Sequence, residues 1–238
     1  MLAKRQTMFR RLALASAIAI TSVAASATPN DGALTLDTYN PGEKAIFAVS
    51  SVLVEGKTQA VLIDAQFSAA NARTLAKRIE ASGKTLTTIY ISHGDPDYYF
   101  GLDTLHRAFP QAHIVATPQT IAHIRATSDE KLKVWGPKLG ADAPKAIVLP
   151  EPLSGDTLSV DGQALRIVGL DGPTPDRTFV WIPSLRAVVG GIPVVGGEHV
   201  WMADTQTPAS HRDWLATLDR IRALKPVKVV PGHYAPGT

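Results

Sequence analysis

Apolar positions along this chain recur with two periods, and the alternation between them sets the expected fold class. Ala45–Val54 and Gln59–Asp64 are runs of β-formers joined at Glu55-Gly56-Lys57, a glycine-centred turn, and they predict two consecutive strands. Ala69–Ala81 places Leu75, Ile79 and several alanines on one side and stops at Ser82-Gly83, which predicts a helix with a glycine end. Leu86–Ile91 reads as a buried strand, Leu102–Phe109 as a short helix stopped by Pro110, and His113–Ala116 as a further strand. Pro118–Leu139 predicts one or two helices, with Pro118 in the first turn and Gly136-Pro137 interrupting near the end. Strands are expected at Ala146–Leu149, Leu158–Val160, Ala164–Val168, Thr178–Ile182 and Ala187–Val189. Pro208–Leu224 predicts an amphipathic helix with Trp214, Leu215, Leu218 and Ile221 as its apolar stripe. Val227–Val230 is a last strand that runs directly into Pro231-Gly232-His233. Strand and helix signals interleave through both halves, so a mixed α/β protein is expected.

The first 27 residues stand outside this pattern. Lys4, Arg5, Arg10 and Arg11 precede an uncharged stretch from Leu12 to Ala25, and Ala25-Ser26-Ala27 offers a small-x-small cleavage site. That layout predicts a secretory signal peptide, a mature chain beginning near Thr28, and a periplasmic or secreted protein. The apolar stretch is shorter than the roughly 20 residues a membrane span needs, and no later segment qualifies. Arg10-Arg11 lies in surroundings that fit the twin-arginine route poorly.

Setting that segment aside changes the charge. The chain has 24 basic and 21 acidic residues, but four of the basic ones belong to the first 27, which leaves 20 against 21. The remaining 28–238 is near neutral, so its charge gives no reason to expect a nucleic-acid partner. It fits one domain with a substantial core. With no cysteine, it forms no disulfide and offers neither a thiolate ligand nor a cysteine nucleophile. Any metal must be held by His, Asp, Glu or Tyr.

The chemistry-bearing stretch follows Thr88-Ile89-Tyr90-Ile91. It reads Ser92-His93-Gly94-Asp95-Pro96-Asp97-Tyr98-Tyr99-Phe100-Gly101. One imidazole and two carboxylates at alternate positions past a strand end can converge on one point, which is how a short loop builds an oxygen- and nitrogen-rich metal site. The plainer alternative is a polar turn, since Gly, Pro and Asp are turn formers.

Taken with Val61-Leu62-Ile63-Asp64 before it and Val229-Val230-Pro231-Gly232-His233 at the far end, this stretch resembles the metallo-β-lactamase superfamily. The resemblance implies an αββα sandwich with a metal site on one edge of its two sheets. It also implies hydrolysis by water activated on one or two ions, which polarise the bond to be cleaved. The family pattern is His-x-His-x-Asp-His, then a mid-chain His, a bridging Asp after a strand, and a late His in a Gly-His turn. His93 matches the first His, Asp97 the Asp, and His233 the late His. Asp95 stands for the second His and Tyr98 for the third. Counting back from Pro183 places Asp171 at the mid-chain His, and Gly191-Ile192 stand where the bridging Asp would be. The family usually continues into a further strand or helix beyond the late His, so a short or truncated member is expected.

Two readings follow. Loss of histidines is decay of the site, or it is a change of ligand set, because two of the three replacements are aspartates, which also bind metals. His93, Asp95, Asp97, Asp171 and His233 would hold a divalent ion, zinc first, with manganese or iron as alternatives. One or two ions are possible, and the set suits one better than a close pair. Asp97 would orient the attacking water and take its proton. The expected activity is cleavage of an ester, lactone, amide or related bond in a small molecule; the alternative is a catalytically silent binding protein. His199 is a candidate substrate contact, with a structural role as its rival. Tyr98, Tyr99 and Phe100 either line a pocket or wedge the loop against the sheet. Asp64 is expected to support the site from behind, and Asp204 to cap or turn before the Pro208 helix. His106, His113, His123 and His211 are expected away from the site. Neither a phosphate-cradling glycine loop nor a Gly-x-Ser-x-Gly elbow is present.

Overall fold

In the computed structural model, which describes residues 32–235, the expected pair of strands forms as β2 (Ser51–Glu55) and β3 (Gln59–Ile63), preceded by β1 (Thr35–Tyr39). The expected signal segment lies outside the described residues. Residues 45–50 were expected to extend β2, but their bonds go elsewhere. Ser50 donates its amide to Gly232 O (2.8 Å) and its hydroxyl to Pro231 O (2.5 Å), and Val49 bridges to His233. The start of that apolar run therefore anchors the far end of the chain.

Beyond β3 the sheet turns parallel. It continues through β4 (Thr85–Ile91), β5 (His113–Ala116) and β6 (Glu151–Pro152), in the order β1-β2-β3-β4-β5-β6. Parallel neighbours need crossovers. These are α1 (Ala69–Ser82), then α2 (Pro96–Tyr99) with α3 (Leu102–Ala108), then α4 (Pro118–Leu139). Ser68 caps α1 through Asn71 N, and Gly83 ends it at φ 67°, which a side chain would resist. α4 runs unbroken through Gly136-Pro137, because Pro137 lies in the last turn, where little of the helix remains to be interrupted. Residues 146–149, expected as a strand, carry none; the edge pairing falls on β6 instead.

A second sheet is made of β7 (Thr157–Val160), β8 (Gln163–Val168), β9 (Phe179–Ile182), β10 (Ala187–Val189) and a short β12 (Lys228–Val229), in the order β12-β10-β9-β8-β7. β11 (Val195–Gly196) pairs in parallel with β13 (His233–Tyr234). α5 (Pro208–Ala223) begins in a capping box between Thr207 and Ser210.

The layers follow from two-residue alternation. Val61 and Ile63 of β3 pack with Val160, Ile167 and Val180 between the sheets, whereas Ala60 and Leu62 face the cluster built with α1 and α3. Both faces of β3 are covered, which explains its unbroken apolar run. On the outer face of the second sheet, Phe179, Trp181 and Val188 meet Ile221 of α5. The order is helix, sheet, sheet, helix, the expected αββα sandwich. On α5 the buried stripe is Trp214, Thr217 and Ile221; Leu215, expected on it, is exposed. No helix among the described residues is long and apolar enough to cross a membrane.

Candidate metal centre

The loop after β4 is held from behind by Asp64, at the end of β3. Asp64 adopts φ 65°, a region Asp tolerates better than most residues. Its carboxylate accepts the Ser92 amide (2.8 Å) and the Ser92 hydroxyl (2.9 and 2.7 Å). Complete burial pushes the Asp64 carboxyl up to about 7, against the lowering effect of those bonds and of His93. Two backbone bonds then fix α2: Ala65 N to Tyr98 O (2.7 Å) and Gly101 N to Gln66 O (2.8 Å). The next side chains are therefore placed by β3 and β4 together.

Four of the expected ligands gather there as two pairs. His93 Nε2 lies 3.2 Å from Asp95 Oδ2, and His233 Nε2 lies 2.9 Å from Asp97 Oδ2. Asp95 Oδ1 accepts from Lys131 Nζ of α4 at 3.0 Å. Burial works to raise the Asp95 carboxyl, but His93 and Lys131 outweigh it and hold the group well below the ordinary carboxylate range. Burial likewise works to lower His233, and Asp97 outweighs it, so the imidazole keeps its proton to a higher pH than usual. Tyr98 meets both imidazoles edge-on, at 5.2 Å from His93 and 5.6 Å from His233.

Two donors about 2.0–2.1 Å from a tetrahedral ion lie about 3.3 Å apart. Each pair has roughly that separation, and two imidazoles with two carboxylates suit one nitrogen- and oxygen-preferring ion. Among the described residues the buried His93 Nδ1, the ring nitrogen that does not face Asp95, has no hydrogen-bond partner, whereas a metal-bound histidine ordinarily donates its second nitrogen to a carboxylate or carbonyl. The pairs do not merge, however: among the described residues no three His, Asp or Glu side chains stand ready as one shell. A close pair of ions fits worse. Gly191 occupies the bridging position at φ 78°, and a Cβ there would collide with Thr178 O, so no aspartate can take its place without moving the backbone.

Asp171 does not join the others. It is exposed and accepts a hydrogen bond from Arg220 of α5 at 2.7 Å, which removes it from the ligand set. Tyr98, expected either in a pocket or as a wedge, is fully buried and does not line the adjoining cavity; it packs within the loop between the two imidazoles. His199 does line that cavity, which has a volume of about 300 Å³ and also exposes Asp95, Asp97, Lys131, Glu198 and His233. Phe47, Trp135, Ile192, Val195 and Trp201 supply apolar walls. Asp204 is not the cap of α5, which is Thr207, but it lies in the turn before that helix, closed by Thr205 N to Met202 O (3.1 Å), and pairs with Arg177 at 2.6 Å.

His106, His113 and His211 are exposed and do not line the cavity. His123 is not remote: its ring centroid lies 6.3 Å from that of His93. It also closes over Gly94, where a Cβ would come within 2.7 Å of it. Sequence reasoning missed Lys131, Trp135 and Glu198. The signal for the α4 residues was their spacing, since 123, 127, 131 and 135 share one helical face. Nothing in the sequence showed that this face meets the loop after β4.

The family model of the metallo-beta-lactamase superfamily matches residues 46–233. The chain belongs to that superfamily. Among solved structures it is similar to a metallo-beta-lactamase family protein from Thermus thermophilus, at 18% identity over 85% of this chain and 74% of that one, with a TM-score of 0.63. It is also similar to a metallo-beta-lactamase from Pontibacter korlensis (19%, 84% and 85%, TM-score 0.60) and to the DIM-1 metallo-beta-lactamase (19%, 84% and 89%, TM-score 0.58). No curated protein matches by sequence. The superfamily is mostly hydrolases and its enzymes typically bind divalent ions, so the fold is of metallo-hydrolase type.

Proposed function

We propose that this chain is an exported hydrolase that uses one divalent ion to cleave an ester, lactone, amide or related bond in a small molecule. His93, Asp95, Asp97 and His233 would hold the ion, zinc first, with manganese or iron as alternatives. The observation that carries the proposal is that Asp95, Asp97 and His233 line one cavity, Asp97 paired with His233 and Asp95 backed by the buried His93. A divalent ion supplies Lewis-acid polarisation of a carbonyl and acidifies water. The chain's own residues do the rest. Asp97, oriented by His233 at 2.9 Å, positions the attacking water and takes its proton. Phe47, Trp135 and Trp201 receive the apolar body of the substrate, and His199 and Glu198 supply polar contacts at the rim.

Asp97→Asn keeps the shape and removes the proton acceptor. It should abolish any hydrolysis found in a screen of generic ester, lactone, β-lactam and phosphodiester substrates, with an unchanged circular dichroism spectrum. Full activity in Asp97→Asn would refute the assignment. A second reading, a binding protein that retains the fold without catalysis, is favoured by one observation: among the described residues the donors form two separate pairs and no ready set of three. Absence of turnover across the screen, with saturable ligand binding, would select it.

A further inference from the structure

The cavity carries a charge that its own residues leave uncompensated. Asp95, Asp97 and Glu198 line it with carboxylates, and Lys131 is the one ammonium among the lining side chains. Asp95 is held by Lys131 at 3.0 Å and faces His93, and Asp97 is held by His233 at 2.9 Å. Glu198 differs: among the described residues it forms no hydrogen bond or ion pair. Its charge nevertheless reaches into the site, where it helps His233 to keep a proton. Trp201, on the same segment, also lines the cavity, yet it is 63% exposed, and among the described residues no ring or cation packs against it. Trp135 is more fully engaged, since Lys138 lies 4.2 Å from its ring and Phe47 and Phe67 meet it edge-on.

An indole face attracts a cation through its quadrupole, and an unpaired carboxylate attracts one by charge. An anion entering the cavity would instead meet all three carboxylates and find the ammonium already bound to Asp95. A neutral molecule would gain nothing from Glu198. We propose that this cavity takes molecules bearing an ammonium group on an apolar body, with Glu198 and the face of Trp201 holding the cation while Phe47 and Trp135 receive the body. The inference rests on the reading of this cavity as the substrate site and narrows the substrate class; it depends on neither the ion nor the bond cleaved.

Phenylpropylammonium, phenylpropanol and phenylpropanoate share one body and differ in charge. Their affinities for the full mature chain are measured by NMR titration in excess chelator, so that neither metal nor turnover enters. The ammonium should bind about fivefold to tenfold more tightly than the alcohol, the gain expected of one exposed cation–π contact and one ion pair, and the carboxylate should bind most weakly. Glu198→Gln should cut that preference to about twofold with the alcohol unchanged, and Glu198→Asp, which keeps the charge, should preserve the order. Trp201→Leu should weaken the ammonium more than the alcohol. Asp171→Asn removes the same charge outside the cavity and should leave the preference intact. Glu198 and Trp201 are exposed, so the circular dichroism of their variants should match wild type. Equal affinity for ammonium and alcohol, tighter binding of the carboxylate, no binding of any probe, or a preference that survives Glu198→Gln overturns the proposal. Turnover of neutral esters or lactones without the ammonium preference would overturn it and leave the hydrolase reading standing. The preference without any turnover would uphold it and select the binding-protein reading.

Discussion

Asp64 offers a quantitative test of how the loop after β4 is held. Its carboxyl is fully buried, and its hydrogen bonds from Ser92 do not offset the loss of hydration, so it sits near 7 when folded against 3.8 unperturbed. The folded state therefore keeps this proton after the unfolded chain has lost it. Between pH 4 and 7 the unfolded state binds fewer protons, so Asp64 makes stability fall as pH rises across that window and level off above it. At about 1.4 kcal/mol per pKa unit, the full loss is on the order of 4 kcal/mol. Asp64→Asn removes the titration while keeping the shape, and its amide oxygen still accepts from the Ser92 amide. Relative to wild type it should be neutral or up to about 1 kcal/mol less stable near pH 4. Near pH 8 it should be more stable by roughly 2–4 kcal/mol. Urea unfolding of both proteins in excess chelator, from pH 4 to 8, reads the difference and cancels every other titrating group. A difference that does not change with pH, or that moves against Asn as pH rises, would refute the reasoning.

Other outcomes follow from the same geometry. Asp171→Ala should leave metal content unchanged and alter stability by less than about 1 kcal/mol in thermal unfolding, because it breaks only an exposed pair with Arg220. Gly191→Ala should cost more than about 2 kcal/mol by urea titration, since it combines positive φ with a Cβ driven into Thr178 O. Export predicts a mature N-terminus near Thr28 by N-terminal sequencing of the periplasmic or secreted protein; an intact Met1 on a cytoplasmic product would contradict it.

The elements that read most clearly in the sequence were those with strong periodicity or sharp punctuation. β3, α1, β5, α4 and β10 lie where apolar period, caps and prolines placed them. β1 was missed because Thr35–Tyr39 is only half buried and so shows weak alternation. The two-residue strands β11 and β13 were missed because pairing between distant segments leaves no local mark. At the site, His93, Asp95 and Asp97 were legible because they lie in one loop, and His233 because it follows a strand in a Gly-His turn. Asp171 was misplaced because counting back from Pro183 cannot show that Arg220 draws its side chain outward. Lys131 was invisible because its part depends on α4 packing against the loop, which is a property of the assembled fold.

The most direct test of the central claim is metal content by elemental analysis of the wild type and single-histidine variants after zinc loading. The wild type should hold about one equivalent. His93→Ala and His233→Ala should show strong loss, while His106→Ala and His211→Ala should show none. Equal content in all four variants, or none in a folded wild type, would contradict it.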